Sequence, residues 1–313
     1  MQHTVTSRSR PAHKRRLWLV PLLFLLPHLT VFCLFNLLPD LAGIYAAFTK
    51  WDLAAAPQWT GLQNLRTILL DSSSLFYWQF RWGLQNTCLF VLLVVPLRII
   101  LPLLLASALN RKCAGHALFQ TLFYLPALLS LSIVMVSWNY MFNTNYGIIN
   151  AYLHLGSLSW TNTVPFNWIA LIVITVWWGT GTNMIIFQSA LANVPSEILE
   201  AAEIDGASRV QRFFHISLPC IRFPLTYVLA TTVIAEFNVW GQPYMFNNGG
   251  PVVDTVNGFA RTSNIMLMQI IRDTGFKGSY GSNPGIASAM ALLLGIIMVI
   301  VSIIQVCAMQ KNS

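Results

Sequence analysis

Ionisable side chains are scarce in this chain. Asp, Glu, Lys and Arg make up 9% of its 313 residues, against about a quarter in an ordinary soluble domain, and that shortage excludes a water-exposed globular surface. The phosphate-cradling pattern G-x-x-x-x-G-K-[ST] is missing, as are any Gly-Lys pair, H-E-x-x-H and G-x-S-x-G. The chain therefore has no P-loop for ATP and no recognisable constellation for metal-assisted or nucleophilic hydrolysis. Its five cysteines, Cys33, Cys88, Cys113, Cys220 and Cys307, lie apart without a CxxC, and its six histidines are scattered. Free thiols, no metal and no cofactor of its own are expected. Lys and Arg outnumber Asp and Glu by 18 to 10, but the excess forms no single basic face for a nucleic acid.

Apolar surface is abundant: 56% of residues are hydrophobic, gathered into long continuous runs. Crossing about 30 Å of hydrocarbon takes roughly 20 apolar helical residues that satisfy their own backbone polar groups, whereas a β-barrel needs short alternating strands. Six runs are long enough, at about 17–38, 86–109, 119–142, 168–191, 223–246 and 286–309. They predict an all-α polytopic membrane protein with about six transmembrane helices. The first follows Arg8, Arg10, Lys14, Arg15 and Arg16, as in a signal peptide. It is longer than a signal-peptide core, however, and no small-x-small cleavage site closes it, so it is read as a retained anchor. With the N-terminus cytoplasmic, the inner segments carry those five cations with Arg111, Lys112, Arg209, Arg212, Arg222 and Lys311. Only Lys50, Arg66, Arg81, Arg261, Arg272 and Lys277 fall outside, which favours both termini inside. The outer segments, 39–85, 143–167 and 247–285, are rich in Asn, Gly, Ser and Trp. Trp51, Trp59, Trp78, Trp82, Trp138, Tyr140, Trp160 and Trp168 read as an interfacial belt, with ligand contact as the other reading. Residues 62–82 read as short surface helices. No tandem repeat or linker marks a second soluble domain.

Acids, bases and small residues crowd together in one place, "VPSEILEAAEIDGASRVQRFFHISLP" at 194–219. Pro195 and Ser196 suit a helix start, the serine as a cap. Glu197, Glu200 and Glu203 repeat every three residues along one side, and Ile198, Ala201 and Ala202 leave a narrow surface that a partner can approach. Gly206 follows Asp205 where the helix should end, since glycine takes the left-handed conformation freely. Ser208 and Gln211 have capping-box spacing, Phe213, Phe214 and Ile216 give the second helix an apolar face, and Pro219 marks the return to the membrane. By pattern alone, this unit is either a docking element or an amphipathic helix floating among headgroups.

"EAAEIDGA" followed by "ISLP" resembles the EAA loop of bacterial and archaeal ABC importer permeases. "WWGTGTNMIIFQSALANVPSEILEAA" is similar to the helix that leads into that loop in the family, "FNVWGQPYMFNNGGPVVDT" at 237–255 to the end of the fifth helix in carbohydrate-uptake permeases, and "YGIIN" at 146–150 to an outer loop. The resemblance implies a type I ABC importer permease core at 82–308, preceded by a basic segment at 1–16 and a first helix with outer segment at 17–81, and followed by a short tail at 309–313. The short tail after the last span resembles the first of the two permeases paired in maltose- and glycerol-phosphate-type importers. It also implies that the loop at 195–219 docks into the ATPase subunit, with Glu200, Ala201, Ala202, Asp205, Gly206 and Pro219 at the matching positions.

Polar groups inside the spans are few. Arg98 sits in "VVPLRIILP", where an ionised Arg costs about 2.5–3.5 kcal/mol on insertion scales. Helix packing or snorkelling is one role for it, and a substrate or gating contact another. Pro96 and Pro102 flank it as possible kinks. Glu236 and Asn238 lie in the fifth run, with Gln242 expected four residues further on the same helix face and Trp240 and Tyr244 beside them for stacking on a sugar. By resemblance this helix lines the substrate path, so Asn238, Gln242, Glu236 and Tyr244 are candidate contacts, with Asn183 of the same kind. Interhelical hydrogen bonding is the alternative.

The implied function is the membrane subunit, not itself an enzyme, of a binding-protein-dependent importer of a sugar, oligosaccharide or polyol in a bacterial or archaeal cytoplasmic membrane. Its implied partners are a second permease, two ATP-binding subunits that use ATP and Mg, and an extracytoplasmic solute-binding protein. Three other classes stay open: an ABC permease for a non-sugar solute, an ion-coupled secondary carrier, which needs paired halves or several intramembrane carboxylates, and a membrane-embedded enzyme, which needs a convergent catalytic cluster.

Overall fold

A computed structural model of the chain describes residues 19–110, 115–276 and 282–311. The basic segment expected at 1–16 lies outside the described residues, as do Arg111, Lys112, Cys113 and Lys277. The first span is a rod of α1 (Leu19–Phe32) and α2 (Leu38–Ala47) joined by one widened π turn at Cys33–Leu37. Pro39 lacks the N–H that would close the turn behind it, and the widened turn absorbs that loss. The rod therefore stays apolar and helical to Ala47, past the end expected near Leu38.

A small antiparallel hairpin, β1 (Thr49–Lys50) with β2 (Gln58–Trp59), and the short α3 (Gln63–Leu69) lead to α4 (Leu75–Leu109). The expectation of surface helices over 62–82 holds only for α3. Ser74 caps α4 by accepting from the Phe76 N–H, Phe80 and Gly83 are buried beneath the helix that follows β4, and Trp82 is buried as well, so the chain from Leu75 belongs to the second span. That helix passes through Pro96 and Pro102 without interruption.

The third run is two helices, α5 (His116–Leu128) and α6 (Leu131–Met141), bent by 100°. Leu129 is extended, and the Ser130 hydroxyl accepts from the Ile133 N–H to start α6 afresh. After α7 (Ile148–Leu153), α8 (Phe166–Ala192) is an unbroken span. Next come α9 (Ser196–Ile204), α10 (Arg209–Arg212), a π turn at Phe213–Ser217, α11 (Leu218–Cys220), α12 (Arg222–Phe237) and α13 (Gly241–Asn247). A hairpin of β3 (Val252–Val256) and β4 (Phe259–Thr262) turns at Asn257 and Gly258, both at positive φ as a tight I′ turn requires. The amphipathic α14 (Leu267–Phe276) then tucks Leu267, Ile270 and Ile271 inward, and α15 (Pro284–Lys311) ends the fold. The two hairpins are the additions to the all-helical expectation.

Among the described residues, three apolar clusters hold the bundle, and α4 contributes to each. Phe80 and Val95 pack with Phe237, Leu267 and Met290; Phe90 and Val94 with Met135, Ile174 and Phe246; and Ala106 with Met184, Phe187, Ile221 and Val228. The outward sides of the spans expose residues such as Leu92, Val136 and Phe223, the pattern of helices whose solvent is lipid. Trp82 and Trp160 depart from the expected belt: both are buried, and Trp160 donates its indole N–H to Asn150 Oδ1 at 2.6 Å.

Candidate functional site

The loop between α8 and α12 is built by local capping chemistry. Pro195 precedes the first helical residue of α9, and no side chain caps it, so Ser196 opens the helix without the expected capping bond. At the other end Gly206 has φ +81°. The Ala207 N–H reaches Ala202 O at 2.9 Å and the Gly206 N–H reaches Glu203 O at 3.1 Å. That pair of bonds satisfies the last carbonyls of α9 as a Schellman motif. Ser208 starts the next helix at once: its hydroxyl accepts from the Gln211 N–H and its own N–H donates to Gln211 Oε1 at 2.7 Å, the expected capping box. Arg212 clasps the two helices by donating to Glu203 Oε2 at 2.5 Å and to Leu199 O at 3.4 Å.

This elbow stands free of the bundle on its outer side. Glu200, Ala201, Asp205, Gly206 and Pro219 are exposed and Ala202 is half-buried. Ile198 and Ile204 are 49% and 87% exposed. Its root is anchored. Half-buried Leu199 packs into the third cluster, and Ile221, only 1% exposed, sits where residues 209–220 join α12 through a 73° bend. The chain thus re-enters the bundle at Ile221, two positions beyond Pro219.

Deeper in the bundle, the Arg98 guanidinium on α4 forms an ion pair with the Glu236 carboxylate on α12, which is 2% exposed. The two charges lie 138 residues apart in sequence. The arginine also lies against α8: Nη2 approaches Gly179 O at 3.4 Å, and a Cβ on Gly179 would overlap the guanidinium. Asn183 completes the knot by donating through Nδ2 to Arg98 O at 2.9 Å and to Thr232 Oγ1 at 3.2 Å. Pairing cancels the charge that each group would carry alone into low dielectric, whereas removing one partner of a buried pair costs about 3–5 kcal/mol.

The candidates at 238–242 do not share a helix face. α12 ends at Phe237, Asn238 folds its amide back onto Ile234 O at 2.9 Å, and α13 begins at Gly241. The i, i+4 relation between Asn238 and Gln242 is therefore lost at an interruption over 238–240. Phe237 and Val239, on either side of Asn238, pack into different clusters. Trp240 and Tyr244 lie with ring centroids 6.0 Å apart, and the Arg272 guanidinium of α14 covers both at 4.7 and 4.6 Å.

Residues 17–311 match the family described as the binding-protein-dependent transport system inner membrane component. The chain belongs to this family. Among its relatives in the family, the probable ABC transporter permease protein YesP of Bacillus subtilis (strain 168) is 33% identical, over 90% of this chain and 87% of that one. The probable starch degradation products transport system permease protein AmyD of Thermoanaerobacterium thermosulfurigenes is 28% identical, over 93% and 94%. In three dimensions, this inner membrane component is similar to a chain of a bacterial alginate ABC transporter solved with an alginate pentasaccharide-bound periplasmic protein, with a TM-score of 0.74, 20% identity and coverage of 93% of each chain. That likeness establishes the permease fold.

Three features of this inner membrane component escape a reading by hydropathy. The Arg98–Glu236 pairing had a signal, since the two are opposite charges stranded in apolar runs. Gly241 and Pro243 announced the interruption after Asn238. Arg272 over Trp240 and Tyr244 had none, because α14 is brought there by the fold alone.

Proposed function

We propose that the chain is the first of two permease subunits in an ATP-driven importer that carries a sugar, oligosaccharide or polyol into the cytoplasm. In this reading both termini face the cytoplasm, the core at 82–308 forms the translocation unit with a second permease, two ATP-binding subunits bind and hydrolyse ATP with Mg, and an extracytoplasmic solute-binding protein delivers the substrate. The observation that carries it is the self-capped elbow at 195–219, exposed along Glu200, Ala201, Asp205 and Gly206 yet rooted through Leu199 and Ile221 in the helices α4, α8 and α12. A helix floating among headgroups has no need of a rigid clasp or a buried root, whereas a lever needs both. AmyD, by its name, serves a starch-product system, and that supports a carbohydrate cargo. The amides of Asn238 and Gln242 suit polyhydroxylated substrates, whereas the Trp240 and Tyr244 rings carry Arg272 on their faces. An ion-coupled carrier is disfavoured because Glu236, the one acid in the fifth run, is already neutralised by Arg98.

In mechanism, closure of the ATPase pair moves the elbow, and the helices rooted to it switch between two packings that expose the path on opposite sides. The test is a Glu200→Arg, Gly206→Pro variant co-expressed with the partner subunits. It is expected to insert in the membrane at normal levels but neither to retain the ATPase on purification nor to support ATP-driven uptake. Unchanged assembly and uptake would sink the lever reading.

A further inference from the structure

We propose that the Arg98–Glu236 pair is a positioning pin that makes α4, α8 and α12 one moving body, so that displacement of the elbow at 195–219 reaches the interruption at 238–240. The proposal rests on the reading of the elbow as the ATPase-docking lever and of the interruption as part of the substrate path.

A lever that pushes on α12 alone risks being absorbed by slippage. Apolar helix faces in a bilayer gain no hydrophobic free energy from one another and hold by van der Waals packing alone, which small sliding and rotation give up only in part. A buried ion pair resists, because separating it leaves each charge without its partner. Its location fits the task. The elbow enters α12 at Ile221, and Glu236 lies in the last turn of that helix, about 22 Å away at 1.5 Å per residue. The near end is held by the third cluster and the far end by the pin.

One arginine reaches both neighbouring helices. Its guanidinium bonds Glu236 on α12 and lies on the Gly179 backbone of α8, where the missing Cβ leaves the slot it occupies. Its own carbonyl accepts from Asn183 of α8, whose amide also reaches Thr232, one turn before Glu236 on α12. Side-chain and main-chain bonds thus tie three helices at one depth, two residues ahead of Asn238. Neither Arg98 nor Glu236 is required to touch the substrate: the pair acts by holding Asn238 and the residues after it in place relative to the lever.

The experiment uses the complete complex with its partner subunits in lipid nanodiscs. The five native cysteines are replaced by serine, and Asn238→Cys is the reporter. Labelling by a membrane-impermeant maleimide is compared without nucleotide and after trapping with ATP and orthovanadate. In this parent, trapping is expected to change the labelling rate about tenfold. With Arg98→Met and Glu236→Leu added, apolar replacements of a kind that buried pairs tolerate, the complex is expected to assemble by size-exclusion chromatography while the change at 238 shrinks below twofold. Arg98→Lys alone, which keeps the charge, is expected to keep most of the change. A full tenfold change in the assembled double variant overturns the pin and leaves the lever reading intact. If the parent itself shows no change, the path reading fails and the pin falls with it. Should the double variant not assemble, Glu236→Gln carries the same comparison: a change reduced at least threefold supports the pin, and an undiminished one overturns it.

Discussion

Gly206 offers a graded way to loosen the elbow without touching any contact. Its φ is +81°, and no atom lies within 4 Å of where a Cβ would stand, so substitution there acts on the backbone alone. An alanine held in the left-handed region costs about 1–2 kcal/mol, which lowers the closed-to-open ratio of the elbow by roughly 5- to 30-fold at about 1.4 kcal/mol per decade. Asparagine, which visits that region more readily, costs less. Proline fixes φ near −65° and also removes the N–H that bonds Glu203 O at 3.1 Å. Hydrogen exchange at the Ala207 amide reads the elbow directly, because that N–H is bonded to Ala202 O and exchanges when the motif opens. Exchange is expected to accelerate in the order Gly, Asn, Ala, Pro, by about 5- to 30-fold for Ala, and ATPase retention by the purified complex is expected to fall in the same order. If the Ala variant exchanges at the parent rate, the strain argument is wrong. If exchange rises as described while the Pro variant retains its ATPase fully, the shape of the elbow is not what the partner reads.

Two further substitutions test the packing. Gly181 lies where α8 crosses α5, and a Cβ there would stand 2.6 Å from Phe123 O and 2.7 Å from Tyr124 Cα. These are backbone atoms that cannot swing aside, so Gly181→Ala is expected to cost about 1–3 kcal/mol and to lower the thermal unfolding midpoint in detergent by several degrees, while Gly43→Ala, inside a helix with open space around it, leaves the midpoint unchanged or slightly raised. Trp160→Phe keeps one aromatic ring, gives up the volume of the other and strands the buried Asn150 Oδ1, which now accepts from the indole at 2.6 Å. A loss of about 1–3 kcal/mol is expected, and a midpoint equal to the parent's would show that another donor takes over.

What was legible in the sequence follows from how local the physics is. Most of the elbow was readable, because Gly206 and the Ser208–Gln211 box act over three or four positions and need nothing else from the fold; the cap expected of Ser196 does not form. Most span positions were readable because hydrocarbon asks the same of every crossing segment. Hydropathy averages over a window, however, and therefore passes smoothly over Leu129 and Asn238, where the helices stop although the composition does not change. It also assigned Trp82 and Trp160 to the interface, since an indole looks the same whether it meets headgroups or protein. Arg98 and Glu236 were each conspicuous, but their pairing depends on how α4 and α12 lie, which no local rule specifies.

The two interruptions missed in this way belong together. Breaking a helix inside a bilayer frees backbone groups that lipid cannot satisfy, so it is tolerated only where protein or a water-filled path receives them. At the first break Leu129 O accepts from the Trp178 indole of α8 at 3.2 Å. At the second, the helix that restarts lies against α6: Asn139 donates to Met245 O at 3.1 Å, and Gly241 lets Leu131 approach so closely that a Cβ there would stand 2.5 Å from its Cδ2. Leu131 and Gly241 are the first residues of the helices that follow the two breaks. Each interruption is thus packed on the other, and a backbone change at 238–240 cannot occur without repacking Leu131. In secondary transporters, discontinuous helices of this kind present unwound backbone groups to the substrate. On the proposed reading of 238–240 as part of the substrate path, that path draws on α6 as well as on α12 and α13, and Leu131→Ala, which opens space against Gly241 without removing a polar group, tests the contact.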